Sequence, residues 1–368
     1  MYFVFTFLTL ISFISFGSFF HKKKSNLDYW LFASIPIGVY SLTYGLRQGW
    51  GVDYNHYWEI FRLGLKTDVA FDAINDLLLF IGLPHPFEFI TYSLILGVGM
   101  FFMLKDQKSY AQWILPILYC TCFGAVSLIR FYVAVGWIFI AIHYLLNNKW
   151  KLFFLFSLIT ICTHTSLVVI IPVLVFFKYG DLCKNRIFVL TVFSIATFLL
   201  DSAVLGSDVM LPVVEFLRQH VDNERLDFYS EHSDVFLSGE RLLATTTNES
   251  YRIIHTLRMF VTHFIILCWG FKYKDKYRFG SFYYNMAAIG LIFFQATQGY
   301  ELIERYRAFF YIFISFVLGF IMYENHKNII GYKHIMGYVL IIFCIINLFF
   351  RMFLGQQTLL MFNTYIWD

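Results

Sequence analysis

Long apolar runs separated by short polar breaks recur from one end of the chain to the other. They reach roughly 16–27 residues, the length an α-helix needs to cross a bilayer. They fall near 1–20, 29–45, 87–104, 110–126, 130–146, 152–177, 187–204, 252–271, 279–298, 306–323 and 335–353. Apolar and polar residues do not alternate within them, which excludes barrel strands. Residues 70–82, "AFDAINDLLLFIG", predict a short interfacial helix leading into the third span. The pattern predicts an all-α polytopic membrane protein with about 11–12 transmembrane segments. Residues 1–368 read as a single integral membrane domain, with polar loops at 46–75 and 205–251. The opening "MYFVFTFLTLISFISFGSFF" has no basic n-region and no small-residue cleavage site, so it is expected to be a retained span.

Lysine orients the spans. Lys22–Lys24, Lys105 and Lys108, Lys149 and Lys151, Lys272, Lys274 and Lys276, and Lys327 and Lys333 each follow a span. Connections rich in lysine are expected on the cytoplasmic side. The loops 46–75 and 205–251 and both termini are then expected outside. One conflict arises. The segment "KYGDLCKNR" at 178–186 looks cytoplasmic, yet a single crossing at 152–177 would put it outside. Two arrangements resolve it. The run can break near His164, inside "CTHTS", and return as two short half-helices. Alternatively it is one long tilted helix, with a re-entrant piece near residues 211–217.

Composition agrees with the membrane reading. The chain is 59% hydrophobic and 14% charged, with mean hydropathy +0.65, whereas a soluble domain carries nearly twice that charge. The six cysteines lie mostly within apolar runs and form no disulfide framework. Cys120 and Cys122 lack a second ligand pair, so no metal site is expected.

The two basic residues separate across this topology. Of 15 lysines only Lys66 falls outside, while of 13 arginines only Arg186 and Arg278 fall clearly inside. Arginine's planar fork grips phosphate with two hydrogen bonds, which lysine cannot do. The outer face is therefore expected to bind a phosphate-bearing ligand. The alternative is that loop arginines only pair with the acids of 205–251.

Four clusters carry candidate chemistry. In 47–61, Gly49 and Gly51 permit a tight turn. Arg47 and Asp53 supply polar contacts there, and Trp50, Tyr54, Tyr57 and Trp58 can stack on sugars or sit in an interfacial belt. Arg130 opens the fifth span, where a charge needs a partner, a polar cavity or a path to the interface. Arg252, His255, Thr262 and His263 form a stripe on the eighth span, with Arg258 beside it. Such a stripe lines a cavity or bonds neighbouring helices. In "QGYELIERYRAFF", Glu301 can pair with Arg305 and Glu304 with Arg307, or both arginines and Tyr306 can face a diphosphate and a sugar. No D-x-D pair, P-loop or H-E-x-x-H is present. A glycosyl transfer here would use a lipid-phosphate donor, without a cofactor or metal. No nucleic-acid partner is expected.

The ordered set "LRQGWGVDYNHYWEIF", "LIRFYVAVGWIFIA", "THTSLVVIIP" and "ERYRAFF" resembles the EpsG-like family of Wzy-type polysaccharide polymerases. The residue after Arg130 is Phe131, where that family often has glutamine. The resemblance implies a GT-C-like helical bundle in a bacterial inner membrane. It implies substrates that are oligosaccharide repeat units on undecaprenyl diphosphate, with membrane lipids around them and the active site facing the periplasm. Arg47, Gly51, Asp53, Tyr54, Tyr57, Arg130, His164, Arg305 and Tyr306 are the positions it carries over. From the residues themselves, Arg252, Arg258 and Arg307 join the binding set. Asp53, Glu304 and His255 are candidates for the base at the acceptor hydroxyl, with His164 either chemical or helix-breaking. A flippase of lipid-linked glycans and an O-antigen ligase are the competing readings. A chain-length regulator is an expected partner for a polymerase.

Overall fold

The computed structural model describes residues 2–20, 25–49, 51, 53–198, 249–296, 301–327 and 363–364. The chain divides into two compact units, residues 1–180 with 318–368, and residues 181–317.

The first unit opens with α1 (Tyr2–Phe20) and α2 (Asn26–Gly45). A two-residue strand, β1 (Arg47–Gln48), pairs antiparallel with β2 (Asn363–Thr364). Two short helices follow, α3 (Tyr54–Leu63) and α4 (Val69–Ile81). Next come α5 (Phe87–Leu104), a 3₁₀ turn at Lys105–Tyr110, and α6 (Ala111–Thr121). A second 3₁₀ turn, Phe123–Val126, leads into α7 (Ile129–Leu146). Helices α8 (Trp150–Thr163) and α9 (Ile170–Tyr179) complete the 1–180 segment.

Helix α7 is the core of this unit, with α5 on one side and α8 on another. It is almost wholly buried because apolar residues surround it on every side. Its crossing with α5 is set by two glycines. A Cβ on Gly99 would stand 2.3 Å from the Gly136 carbonyl oxygen, so only small residues let these backbones meet. Helix α2 packs on α5, and α1 packs on α2 and α6. Thr9 and Thr43 join α1 to α2 through a hydroxyl–hydroxyl bond of 3.1 Å.

The run 152–177 is broken, as the first of the two sequence arrangements has it. His164 is extended (φ −156°, ψ 97°) and a 3₁₀ turn at Thr165–Val169 follows. The two halves form a hairpin. Lys178, at the end of α9, donates to Asn148 Oδ1 at 2.6 Å and lies 4.4 Å from the Trp150 ring, beside the start of α8. The apex meets the opposite end of α7, where His164 packs edge-on against Phe131 at 5.8 Å. Chain entry and exit therefore lie at the same end, which removes the parity conflict.

Residues 54–63, within the expected outer loop 46–75, are helical. Tyr54, Tyr57, Ile60 and Phe61 form one apolar stripe at helical spacing and bury together. The expected interfacial helix is α4, whose Phe71, Asn75 and Leu78 face the core. Val69, Leu77 and Ile81 are exposed, and Phe80 is 90% exposed.

The second unit contains α10 (Arg186–Phe198), α11 (Glu249–Tyr273), α12 (Gly280–Ala296) and α13 (Glu301–Tyr311). Helix α14 (Ile314–Lys327) begins in it and ends in the first. Helix α10 packs on α11 and α12, and α12 packs on α13. Buried Lys274 pairs with Asp181, and Asn285 Oδ1 accepts from the Cys183 amide at 3.1 Å.

Among the described residues three stretches are long and apolar enough to cross a membrane, namely Phe87–Thr121, Ile129–Leu146 and Arg305–His326. Leu8–Gly17, Trp150–Thr163, Thr165–Tyr179 and Arg186–Phe198 are shorter apolar helices. The protein is an all-α polytopic membrane protein. The expected span 335–353, the re-entrant alternative at 211–217 and nearly all of the loop 205–251 lie outside the described residues.

Candidate active site

Four chain openings converge at one end of the first unit, namely those of α3, α4, α5 and α7, together with the α8–α9 apex. Arg47 is the anchor. Its side chain is 2% exposed, its Nη1 donates to the Tyr44 carbonyl at 2.8 Å, and its Nη2 donates to the Val126 carbonyl at 3.4 Å. Its guanidinium lies 5.2 Å from the centre of the Phe89 ring. Burial pulls its pKa down to about 10, partly offset by the Tyr44, Tyr40 and Tyr54 phenols, so it stays cationic near neutral pH. Gly51 presses on the same turn. At φ +108°, a Cβ there would stand 1.9 Å from the Val126 carbonyl oxygen. The turn Phe123–Val126 is thus gripped by Arg47 and Gly51 three residues ahead of Ile129. A small cavity of about 10 Å³, room for one water, lies between Arg47, Phe89, Tyr40, Tyr92 and Tyr132.

Arg130 sits on the first turn of α7 and pairs with Asp68 Oδ2 at 2.8 Å. The contact is an ion pair whose angle falls short of a hydrogen bond. The Arg130 Nε is buried with no hydrogen-bond partner among the described residues. Asp68 is available because another acid does the local capping. Asp72 accepts from the Thr67 amide at 2.8 Å, leaving the Asp68 carboxylate to turn towards α7. Thr165 Oγ1, at the hairpin apex, makes a long 3.5 Å contact with Asp68 Oδ1.

Tyr54 stacks on Phe89 at 4.6 Å, and its hydroxyl lies 2.8 Å from His85 Nε2. His85 Nδ1 bonds to Glu88 Oε1, and Glu88 is fully buried in the first turn of α5. Burial, then the Glu88 charge, push the Tyr54 phenol up, while Arg47 and a backbone bond from Gly49 oppose them. Tyr57 is buried edge-on to Phe71, and both belong to a cluster with Tyr92, Ile129 and Val133.

The structure thus brings Arg47, Gly51, Tyr54, Tyr57, Arg130 and His164 together, with Asp53 half-buried at the start of α3. It puts the Tyr54 and Tyr57 rings against protein. Arg258, Arg305, Tyr306 and Arg307 belong to the second unit, where Arg307 is buried and the other three are half-buried. In that unit Thr262 bonds the Arg258 carbonyl at 2.8 Å, and His263 packs between Phe193 and Tyr311, so the lower part of the stripe is packed. The side chains of Arg252, His255 and Glu304, and Trp50 as a whole, lie outside the described part. Among the described residues no three metal-ligating side chains cluster.

Sequence reasoning missed Asp68, His85, Glu88 and Phe89. A signal for Glu88 existed, since it is an acid inside an apolar span, and such residues need a buried partner.

A broken-hairpin bundle with arginines and stacked aromatics gathered at one end of the first unit defines a helical membrane protein. The profile of the EpsG family matches residues 30–365, nearly the whole chain, and the chain belongs to that family. EpsG is a family of Wzy-like polymerases, so this is a Wzy-like polysaccharide polymerase in general class. No curated protein and no solved structure matches the chain.

Proposed function

We propose that the protein transfers a growing glycan from undecaprenyl diphosphate to a lipid-linked repeat unit at the periplasmic face of the bacterial inner membrane. Arg130 carries the proposal. It is a half-buried guanidinium at a span mouth, with a buried, unspent Nε among the described residues and one off-line ion pair. Such a fork can take a diphosphate oxygen in exchange for Asp68 and stabilise the charge that develops as the diphosphate leaves. Arg47, already bonded to two carbonyls, holds the mouth in shape.

The lysines support the orientation. Lys105, Lys108, Lys149 and Lys178 lie at the end of the first unit opposite Arg47 and Arg130, and lysine marks the cytoplasmic side.

The test is a gel of surface polysaccharide from cells lacking the gene, complemented with wild type or Arg130→Lys. The expected result is collapse of a ladder to a single repeat, restored by wild type and not by Arg130→Lys at equal expression. Loss of every repeat in the deletion would favour a flippase or ligase, and an unchanged ladder would overturn the proposal.

A further inference from the structure

Three polar side chains from two helix openings and one turn make a directed chain. Glu88 is 0% exposed, and its Oε1 meets His85 Nδ1. Glu88 Oε2 is buried with no hydrogen-bond partner among the described residues. A carboxylate only accepts, so Nδ1 carries the imidazole proton and Nε2 presents its lone pair. That lone pair faces the Tyr54 hydroxyl at 2.8 Å, which therefore donates. Packing fixes every member. Tyr54 stacks on Phe89, His85 stands edge-on to the same ring at 5.5 Å, and Trp58 covers His85 at 5.9 Å. The imidazole keeps 16% of its side-chain surface open. An acid this deep in a membrane protein marks function or a required partner, and this one's partner is a histidine with a second nitrogen in use.

We propose that Tyr54, His85 and Glu88 form the proton relay that receives the acceptor sugar's hydroxyl proton. This rests on the polymerase reading above. The acceptor oxygen forms its bond to the anomeric carbon as the anomeric carbon–oxygen bond to the diphosphate breaks, the electron pair leaving with the diphosphate. The acceptor proton passes to the Tyr54 oxygen while the Tyr54 proton passes to His85 Nε2. The resulting imidazolium is held by the Glu88 carboxylate and later releases its proton to water. The relay adds to Arg130 what an arginine cannot supply, a group that accepts a proton.

Glu88 from α5 and Tyr54 from α3 face His85, with Arg47 acting on Tyr54. The relay needs neutral imidazole, so the rate falls on the acid side.

The experiment measures polymerisation by the purified full-length protein in lipid vesicles, with a lipid-diphosphate-linked repeat unit as substrate, from pH 5 to 9. Wild type is compared with Tyr54→Phe, His85→Gln and Glu88→Gln. Tyr54→Phe keeps the ring on Phe89 and removes only the hydroxyl. It is expected to lower kcat about 100-fold with KM changed far less. Glu88→Gln is expected to lower kcat about tenfold, again with KM changed far less. Wild-type kcat in Tyr54→Phe, or in a folded Glu88→Gln, would overturn the relay and leave the polymerase intact. If Glu88→Gln does not fold, Tyr54→Phe alone decides. Wild type that makes no polymer would overturn the polymerase reading itself.

Discussion

The two ends of the first unit each hold a histidine paired with a carboxylate, and they use it differently. At the lysine end, His143 on α7 meets Asp106 of the Lys105–Tyr110 turn at 2.9 Å. Asn147, one turn on, donates to the same Asp106 Oδ2 at 2.7 Å. The acid thus ties a turn to a helix end. At the arginine end, His85 meets Glu88, and its other nitrogen meets a tyrosine hydroxyl from a different helix. The same two side-chain types make a clamp in one place and a conduction path in the other. The third partner decides which, because an amide donor closes a pair whereas a hydroxyl can pass a proton on.

The surroundings follow suit. Around the clamp, long cations lie on aromatic faces, as Lys105 does on Trp30 at 6.0 Å and Lys178 on Trp150 at 4.4 Å. Around the relay, Arg47 is buried, Arg130 is half-buried, and Arg62 lies exposed over Trp58. Lysine stems suit a lipid headgroup boundary, and the arginine fork suits a bound anion.

Gly51→Ala is the change with the largest expected effect on this contrast. The new Cβ collides with the Val126 carbonyl at a backbone angle that disfavours side chains. We expect a loss of about 2–4 kcal/mol and no polymer, read as Tm in detergent and by the polysaccharide gel. The arginine end should fail while far-ultraviolet helicity survives, and a stable, active Gly51→Ala protein would refute the close approach.

Asp106→Asn at the lysine end sets the comparison directly. It is expected to cost about 1–3 kcal/mol of stability with the chain-length pattern unchanged at matched protein amount. His85→Gln should do the reverse, losing polymer at near-wild-type Tm. Equal effects of the two variants on both readouts would erase the distinction between clamp and relay.

Arg62→Ala gives the smallest expected effect. Its guanidinium lies 5.0 Å from the Trp58 ring on the exposed side of α3. Removing it should cost about 0.5–1 kcal/mol and leave polymerisation as it was. Loss of polymer in this variant would extend the substrate path onto that face.

Particular residues show how far the sequence could be read. The break at His164 was legible because "CTHTS" interrupts an apolar run and lysine on both sides demands an even number of crossings. Arg130 and Arg47 were legible as charges that need a reason near span ends. Helix α3 was not, since its opening after Gly49 and Gly51 looks like an irregular loop and its stripe is only ten residues long. Glu88 and His85 sit in "LPHPFEF", which reads as punctuation before a span. Their link to Tyr54, 31 residues upstream of His85, has no local signature.

Sequence alone determined the helical membrane class and the family motifs. These depend on composition and on the 3.6-residue period, which are properties of neighbours along the chain. Tertiary structure alone decided that Asp68 meets Arg130, and that His143 is clamped while His85 is linked onward. It also decided that Gly51 touches Val126. Those outcomes depend on which helix ends the bundle brings within about 3 Å of each other, and hydrogen bonds and ion pairs act only at that range.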